Sequence, residues 1–187
     1  MNNLVAGGAG FLGSHIISRL LNNGEKVICL DNFSTGKINN ISKWTQHPNC
    51  RIINHDILNP IDLKADRIWH FACPASPKNY QIDPINTSKI NFIGTLNLLE
   101  IARNSNARFL LASTSEIYGN SKEIMQTESN NGYLKTNSIR SCYQEGKRIA
   151  ETLCFDYARV HSVNIHVARI FNTYGPNMSK DDGRVIS

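Results

Sequence analysis

Long hydrophobic runs are missing from this chain of 187 residues, and no apolar stretch approaches the ~18 that a membrane span needs. That lack excludes a helical membrane protein and makes the cytoplasm the expected location. The opening MNNLVAGG leaves no room for a basic segment, an apolar stretch and a cleavage site, so a secretory leader is not expected. Paired cysteines are missing too. Cys29, Cys50, Cys73, Cys142 and Cys154 are scattered without CxxC spacing, and an odd count of 5 fits reduced thiols better than a disulfide framework or a structural metal site. A strong charge of one sign is also lacking: the formal net charge is +5, and the Lys and Arg residues form no basic run. Nucleic acid is thereby excluded as a partner, while a mild attraction for anionic ligands remains. Repeats, low-complexity tracts and linkers are absent, which leaves one domain over residues 1–187 with one core.

What is present is an alternation of short apolar runs and longer helical patterns. Asn2–Ala6 and Lys26–Leu30 read as buried strands. Between them Phe11, Leu12, Ile16, Ile17, Leu20 and Leu21 recur at helical spacing, and Gly24 ends the helix. Further strands are expected at Arg51–His55, Arg67–Phe71, Arg108–Ala112 and Asn164–Ala168, with long helices over Pro84–Arg103 and Tyr143–His161. The alternation predicts an α/β fold, a doubly wound parallel sheet of Rossmann type with right-handed crossovers.

A glycine-rich turn joins the first strand to the first helix. In AGGAGFLG, Gly7 permits the tight turn, Gly10 lets backbone approach a pyrophosphate, and Gly13 lets helix and strand pack closely, with Phe11 and Leu12 opening the helix. The helix start would then meet phosphates with free N–H groups. Asp31 lies 18 positions beyond Gly13, after the second strand, where a carboxylate can take both adenosine-ribose hydroxyls and repel a 2′-phosphate. This favours NAD over NADP, with Asn32 beside the carboxylate and Lys37 as the residue most able to upset the preference. The alternative is that Asp31 only caps the next turn. Asp56 could reach the adenine edge or simply be solvated. Phe71, Ala72 and Cys73 should border the cofactor at the C-terminal edge of the sheet.

Tyr143 and Lys147 are 4 apart on an expected helix and so share a face. Thr114, in TSEIYG at the end of the fifth strand, can be brought beside them. A phenol with a pKa near ~10 is a poor base at neutral pH, and a neighbouring ammonium stabilises its anion. Thr114 would hold a substrate hydroxyl in line while Tyr143 accepts its proton, a constellation suited to redox chemistry at a carbinol carbon.

The glycine turn, HFACPASP at 70–77, STSEIYG at 113–119, RSCYQEGKR at 140–148, ARIFNTYGP at 168–176 and DDGRVIS at 181–187 occur in the order found in the extended short-chain dehydrogenase/reductase family. The chain resembles the nucleotide-sugar enzymes of that family along essentially its whole length, and among them the UDP-glucuronate decarboxylating branch. The resemblance implies an internal redox cycle on UDP-glucuronate. Hydride leaves sugar C4 for NAD⁺, the resulting 4-keto acid loses carbon dioxide, C5 is protonated, and hydride returns to give UDP-xylose.

The residues after Thr114 bear on the choice among family members. Related 4,6-dehydratases carry an Asp-Glu pair there, whereas this chain has Ser115 and Glu116. Serine removes a charge that would repel the substrate carboxylate and is no comparable acid for water loss. Glu116 argues against simple 4-epimerisation, its alternative role being a strand-end carboxylate bonded to backbone. On the substrate side the resemblance implies Pro74, Arg169, Asn172 and Arg184, Arg169 being equally open to a structural role. It also implies a homodimer packed through the two long helices. Family members continue into a smaller uridine-binding lobe, which the resemblance implies is largely absent here, so an NAD-binding unit without turnover is the competing expectation.

Overall fold

The computed structural model describes residues 1–121 and 125–183. Its sheet has 6 strands in the order β3-β2-β1-β4-β5-β6, comprising β1 (Asn2–Ala6), β2 (Lys26–Asp31), β3 (Cys50–Asn54), β4 (Arg67–His70), β5 (Arg108–Thr114) and β6 (Ile165–Ile170). Every pairing is parallel. The strand order reverses between β1 and β4, and a crevice opens at such a point beyond the carboxyl ends of the strands. Each strand lies within 2 residues of its expected bounds. β5 and β6 each run on 2 residues past the expected end, because Ser113 and Thr114 pair with Arg169 and Ile170. Thr114, expected at the strand end, is thus held in the sheet together with Ser113.

Helices cover both faces. On one, α1 (Phe11–Asn22) buries Ile17, Leu20 and Leu21 against Val5, Val27 and Cys29. Its chain reverses at Gly24, whose φ is +75°. On the other face lie α3 (Pro84–Lys89), α4 (Thr95–Ser105) and α5 (Ser141–His161), preceded by a short α2 (Pro77–Tyr80). Leu98, Leu99, Ala102, Ala150 and Cys154 pack there on Ile68, Phe109 and Leu111.

The expected single helix over Pro84–Arg103 is instead α3 and α4 joined by a π turn at Ile90–Gly94. Asp83 caps α3 by accepting from the Asn86 N–H at 2.9 Å, with Pro84 at the first helical position. Within the π turn the buried Asn91 donates to the Thr87 carbonyl at 2.9 Å. Periodicity alone does not reveal such a one-turn insertion. Helix α5 begins at Ser141, ahead of the expected Tyr143, because the Ser141 hydroxyl accepts from Ser138 N at 2.9 Å and ties down the entering chain. All 5 cysteines are free thiols. Among the described residues no helix is long and apolar enough to cross a membrane.

One buried group ties stability to pH. His70 ends β4 with only 1 % of its surface exposed; its Nε2 lies 3.0 Å from Thr95 Oγ1, and its Nδ1 has no partner. Burial first, and the Lys147 charge second, push its pKa from 6.5 down to about 3. Above 6.5 the imidazole is neutral in both folded and unfolded chains, so its contribution is fully present. As the pH falls from 6.5 towards about 3, only the unfolded chain takes the proton and stability is lost. Urea unfolding at pH 6.5 and pH 5 should differ by about 2 kcal/mol from this group alone, and His70→Asn should remove that difference.

Candidate active site

The crevice is a cavity of about 630 Å³ along the C-terminal edge of the sheet. At one end is the glycine turn. Gly7 has φ +76°, and a β-carbon there would lie 2.6 Å from the Ala72 nitrogen; one on Gly13 would lie 2.2 Å from the Gly7 carbonyl oxygen. Helix α1 begins without a side-chain cap and without an acidic residue in its first turn. Its leading N–H groups therefore face the cavity with a positive dipole end and no internal anion, which suits a phosphate. Gly10, Phe11 and Leu12 line the same end.

The Asp31 carboxylate, 8 % exposed, accepts from Ala9 N at 2.9 Å and from Phe33 N at 2.8 Å. Burial raises its pKa, against the lowering effect of the two backbone bonds. Asp31 thus caps the turn after β2, as the alternative reading has it, and also lines the cavity. Asp56 is bonded rather than merely solvated: its carboxylate accepts from Asn32 Nδ2 and from Leu58 N, both at 2.9 Å. Asn32, Asp56, Lys37, Ala72 and Pro74 all border the cavity.

At the other end Thr114, Ser115, Glu116, Tyr143 and Lys147 come together. Thr114, 6 % exposed, closes β5 and accepts from Glu116 N at 3.2 Å, opening a 3₁₀ turn over Ser115–Tyr118. Lys147, 3 % exposed, donates from Nζ to the Ala112 carbonyl at 2.9 Å, which aims its ammonium at the strand end. Among the described residues the Glu116 carboxylate meets side chains rather than the backbone donors of the alternative reading. Oε1 pairs with Arg140 at 2.5 Å and Oε2 accepts from Gln144 Nε2 at 3.2 Å. Arg140, Gln144 and Tyr80 were not singled out by motif reasoning. Arg140 lies 3 before Tyr143 and 4 before Gln144, so helical spacing would have flagged Arg140 from Tyr143 and Gln144 from Arg140.

One of the residues expected on the substrate side falls elsewhere. Arg169 does not border the cavity. Its guanidinium pairs with Glu151 at 2.9 Å and donates to the Tyr118 hydroxyl at 3.0 Å and the Glu128 carbonyl at 2.9 Å. The reason is strand alternation: Ile170 faces the cavity, so Arg169 faces α5. Glu151 also accepts from Ser113 Oγ at 2.5 Å, so this network staples α5 to β5 and β6. Glu151→Gln should therefore cost about 3 kcal/mol in urea unfolding, by leaving a partly buried guanidinium unpaired, while ligand affinity in the cavity changes less than about twofold. Arg184 lies outside the described residues. Asn172 does border the cavity, and beyond it the chain turns back over α1. The Pro176 carbonyl is 2.8 Å from His15 Nε2, and Asn177 Nδ2 donates to Ser14 Oγ at 3.0 Å.

A parallel sheet in this order, with a capless helix start below a glycine turn and Thr, Tyr and Lys at the far end of one crevice, defines a Rossmann-type domain of the short-chain dehydrogenase/reductase class. The chain belongs to the GDP-mannose 4,6-dehydratase family, whose model matches residues 4–186. It is 52% identical over 188 aligned positions to UDP-glucuronic acid decarboxylase 6 of Arabidopsis thaliana, covering 100% of this chain and 55% of that protein. It is 49% identical over 184 positions to UDP-glucuronic acid decarboxylase 1 of Xenopus tropicalis, covering 98% and 44%. The chain thus spans about half the length of the curated relatives it matches. Among solved structures, a dTDP-glucose 4,6-dehydratase of Streptomyces venezuelae with NAD bound superposes with a TM-score of 0.86 at 29% identity, over 97% of this chain and 59% of that one. A UDP-N-acetylglucosamine 4-epimerase of Methanobrevibacter ruminantium gives 0.87 at 29% identity, over 96% and 57%.

Proposed function

We propose that this chain carries the NAD-binding and acid–base half of a UDP-glucuronate decarboxylase, converting UDP-glucuronate to UDP-xylose and carbon dioxide. The observation that carries the reading is the meeting of Thr114, Glu116, Tyr143 and Lys147 at one end of the crevice whose other end is the glycine turn. The names of the relatives at about 50% identity support the substrate, and the bound NAD of the dehydratase neighbour supports the cofactor.

The residues fit a dinucleotide. Gly10 would let backbone approach the pyrophosphate at the start of α1, while Gly7 and Gly13 allow the close backbone packing that sets this turn. Asp31 would hold the adenosine ribose by its remaining lone pairs and disfavour a 2′-phosphate, with Asn32 and Asp56 further along the same wall. When bound, NAD supplies a hydride acceptor that gives the hydride back, so no net oxidant is consumed.

At the reacting end Thr114 orients the sugar 4-hydroxyl, and Tyr143 takes its proton and later returns it. Lys147, fixed by the Ala112 carbonyl, stabilises the phenolate. Oxidation at C4 makes the C5 carboxylate β to a ketone, so carbon dioxide leaves with its electrons delocalised into the carbonyl. Glu116 is placed to handle the proton at C5, and Ser115 leaves the carboxylate unopposed by the aspartate of the dehydratases. Pro74 and Asn172 would flank the sugar diphosphate.

Exposed Ile85 and Phe92 near α3, with Phe155 and Val160 on α5, support pairing of two copies through these helices. Five free thiols support a reducing compartment such as the cytoplasm. A second reading is dinucleotide binding without turnover by residues 1–187, which align with 55% of the plant relative. Incubation with UDP-glucuronate and NAD⁺, following carbon dioxide and sugar products by mass, separates the two. UDP-xylose supports the decarboxylase; no product with NAD bound leaves the second reading.

A further inference from the structure

Tyr80 is wholly buried at the end of α2, yet carries a polar tip that packing alone does not need. Its ring lies parallel to that of Tyr143, with centroids 4.9 Å apart and planes within 2°. Offset stacking of this kind favours one ring plane and resists rotation out of it. The Tyr80 hydroxyl accepts from Arg140 Nε at 2.9 Å, and the same guanidinium pairs with Glu116 at 2.5 Å. One side chain therefore touches both halves of the candidate acid–base centre: Tyr143 through its face, and Glu116 through a charge-assisted bridge.

Its own placement is over-determined. Ser76 caps α2 by accepting from Asn79 N at 3.3 Å, with Pro77 at the first helical position. The Tyr80 carbonyl accepts from the buried Thr87 hydroxyl at 3.2 Å and from Cys142 Sγ at 3.7 Å. The second of these contacts ties it to the residue just before Tyr143. Burial first, with the Glu116 charge behind it, raises the Tyr80 pKa, so its hydroxyl stays neutral and suited to bridging rather than to proton transfer.

We propose that Tyr80 is a positioning residue for this site: its ring sets the plane of the Tyr143 phenol, and its hydroxyl, through Arg140, sets the Glu116 carboxylate. The assignment rests on Tyr143 and Glu116 carrying the chemistry proposed above. It separates into two functions that two variants dissect. Tyr80→Phe keeps the stack and loses the bond to Arg140, whereas Tyr80→Leu loses both.

Two readouts follow the geometry without turnover. In ¹⁵N-labelled chain the Arg140 Nε–H signal, assigned with Arg140→Lys, should be retained near neutral pH and lost to solvent exchange in Tyr80→Phe. The Arg169 Nε–H, which is bonded to Glu151, should persist in both. In 3-fluorotyrosine-labelled chain the Tyr143 resonance, assigned with Tyr143→Phe, should hold its displaced position in Tyr80→Phe and move in Tyr80→Leu towards those of the exposed Tyr133 and Tyr174. Leu98→Ala, a core truncation away from these rings, serves as the control for lost stability. In the decarboxylation assay Tyr80→Leu should lower kcat by about a hundredfold with KM within about twofold, and Tyr80→Phe should recover part of that loss. An Arg140 signal indifferent to Tyr80→Phe, or a Tyr143 resonance that Leu98→Ala moves as far as Tyr80→Leu does, overturns the assignment. A wild-type chain without turnover counts against the decarboxylase reading, and the two spectra still decide the role of Tyr80.

Discussion

Tyr143→Phe should lower the rate of UDP-xylose formation by about a thousandfold, equivalent to roughly 4 kcal/mol of transition-state stabilisation, while NAD affinity stays within about threefold. The substitution removes one oxygen and little else. Phenylalanine keeps the buried ring and its stack on Tyr80, so neither the fold nor the cofactor wall is disturbed. On the proposed mechanism the lost oxygen is the group that takes the sugar proton, and neither Thr114, committed to the Glu116 N–H, nor Lys147, committed to Ala112, offers a substitute base. The check is single-turnover analysis by mass with NAD titrated by calorimetry. A variant retaining a tenth of the wild-type rate would remove Tyr143 from the proton path.

Gly13→Ala acts at the opposite end of the crevice and through geometry alone. The added methyl would sit 2.2 Å from the Gly7 carbonyl oxygen and 2.8 Å from the Gly8 Cα, both backbone atoms with no rotamer to yield. Helix α1 must move off β1, at a cost of about 3 kcal/mol in urea unfolding, and NAD affinity should fall at least about a hundredfold as the N–H groups lose their aim. Affinity within a few-fold of wild type, in a folded variant, would show that phosphate binding does not depend on this approach.

The parts of the site that could be read from the chain are those set by short spacing. The glycine turn, Asp31 after β2, and the Tyr143–Lys147 pair each follow from one strand-to-helix or helix-internal period, and all border the crevice. Strand bounds were legible for the same reason, buried parallel strands being near-continuous apolar runs. The π turn was not, because one extra residue inside a helix leaves the apolar pattern on either side intact. Tyr80 and Arg140 are 60 positions apart, and their bond exists only once α2 and the start of α5 are folded against each other. Arg169 was placed by the motif around it, but a motif at a strand end does not say to which face a given side chain turns. Its neighbour Ile170 took the cavity, and Glu151 on α5 supplied the countercharge.

The segment after β6 has a bearing on the lifetime of whatever lies in the crevice. Pro176 and Asn177 fasten it to His15 and Ser14 on the first turns of α1, next to the glycine turn, while Asn172 and Asp182 border the same cavity. A dinucleotide bound as proposed would have this segment beside it, and the fastenings to α1 would lengthen its stay. Slow exchange of this kind suits a carrier that finishes each round in the oxidation state in which it began. On the proposed cycle such a carrier would behave as a resident prosthetic group, whose rate of replacement from solution sets no limit on turnover.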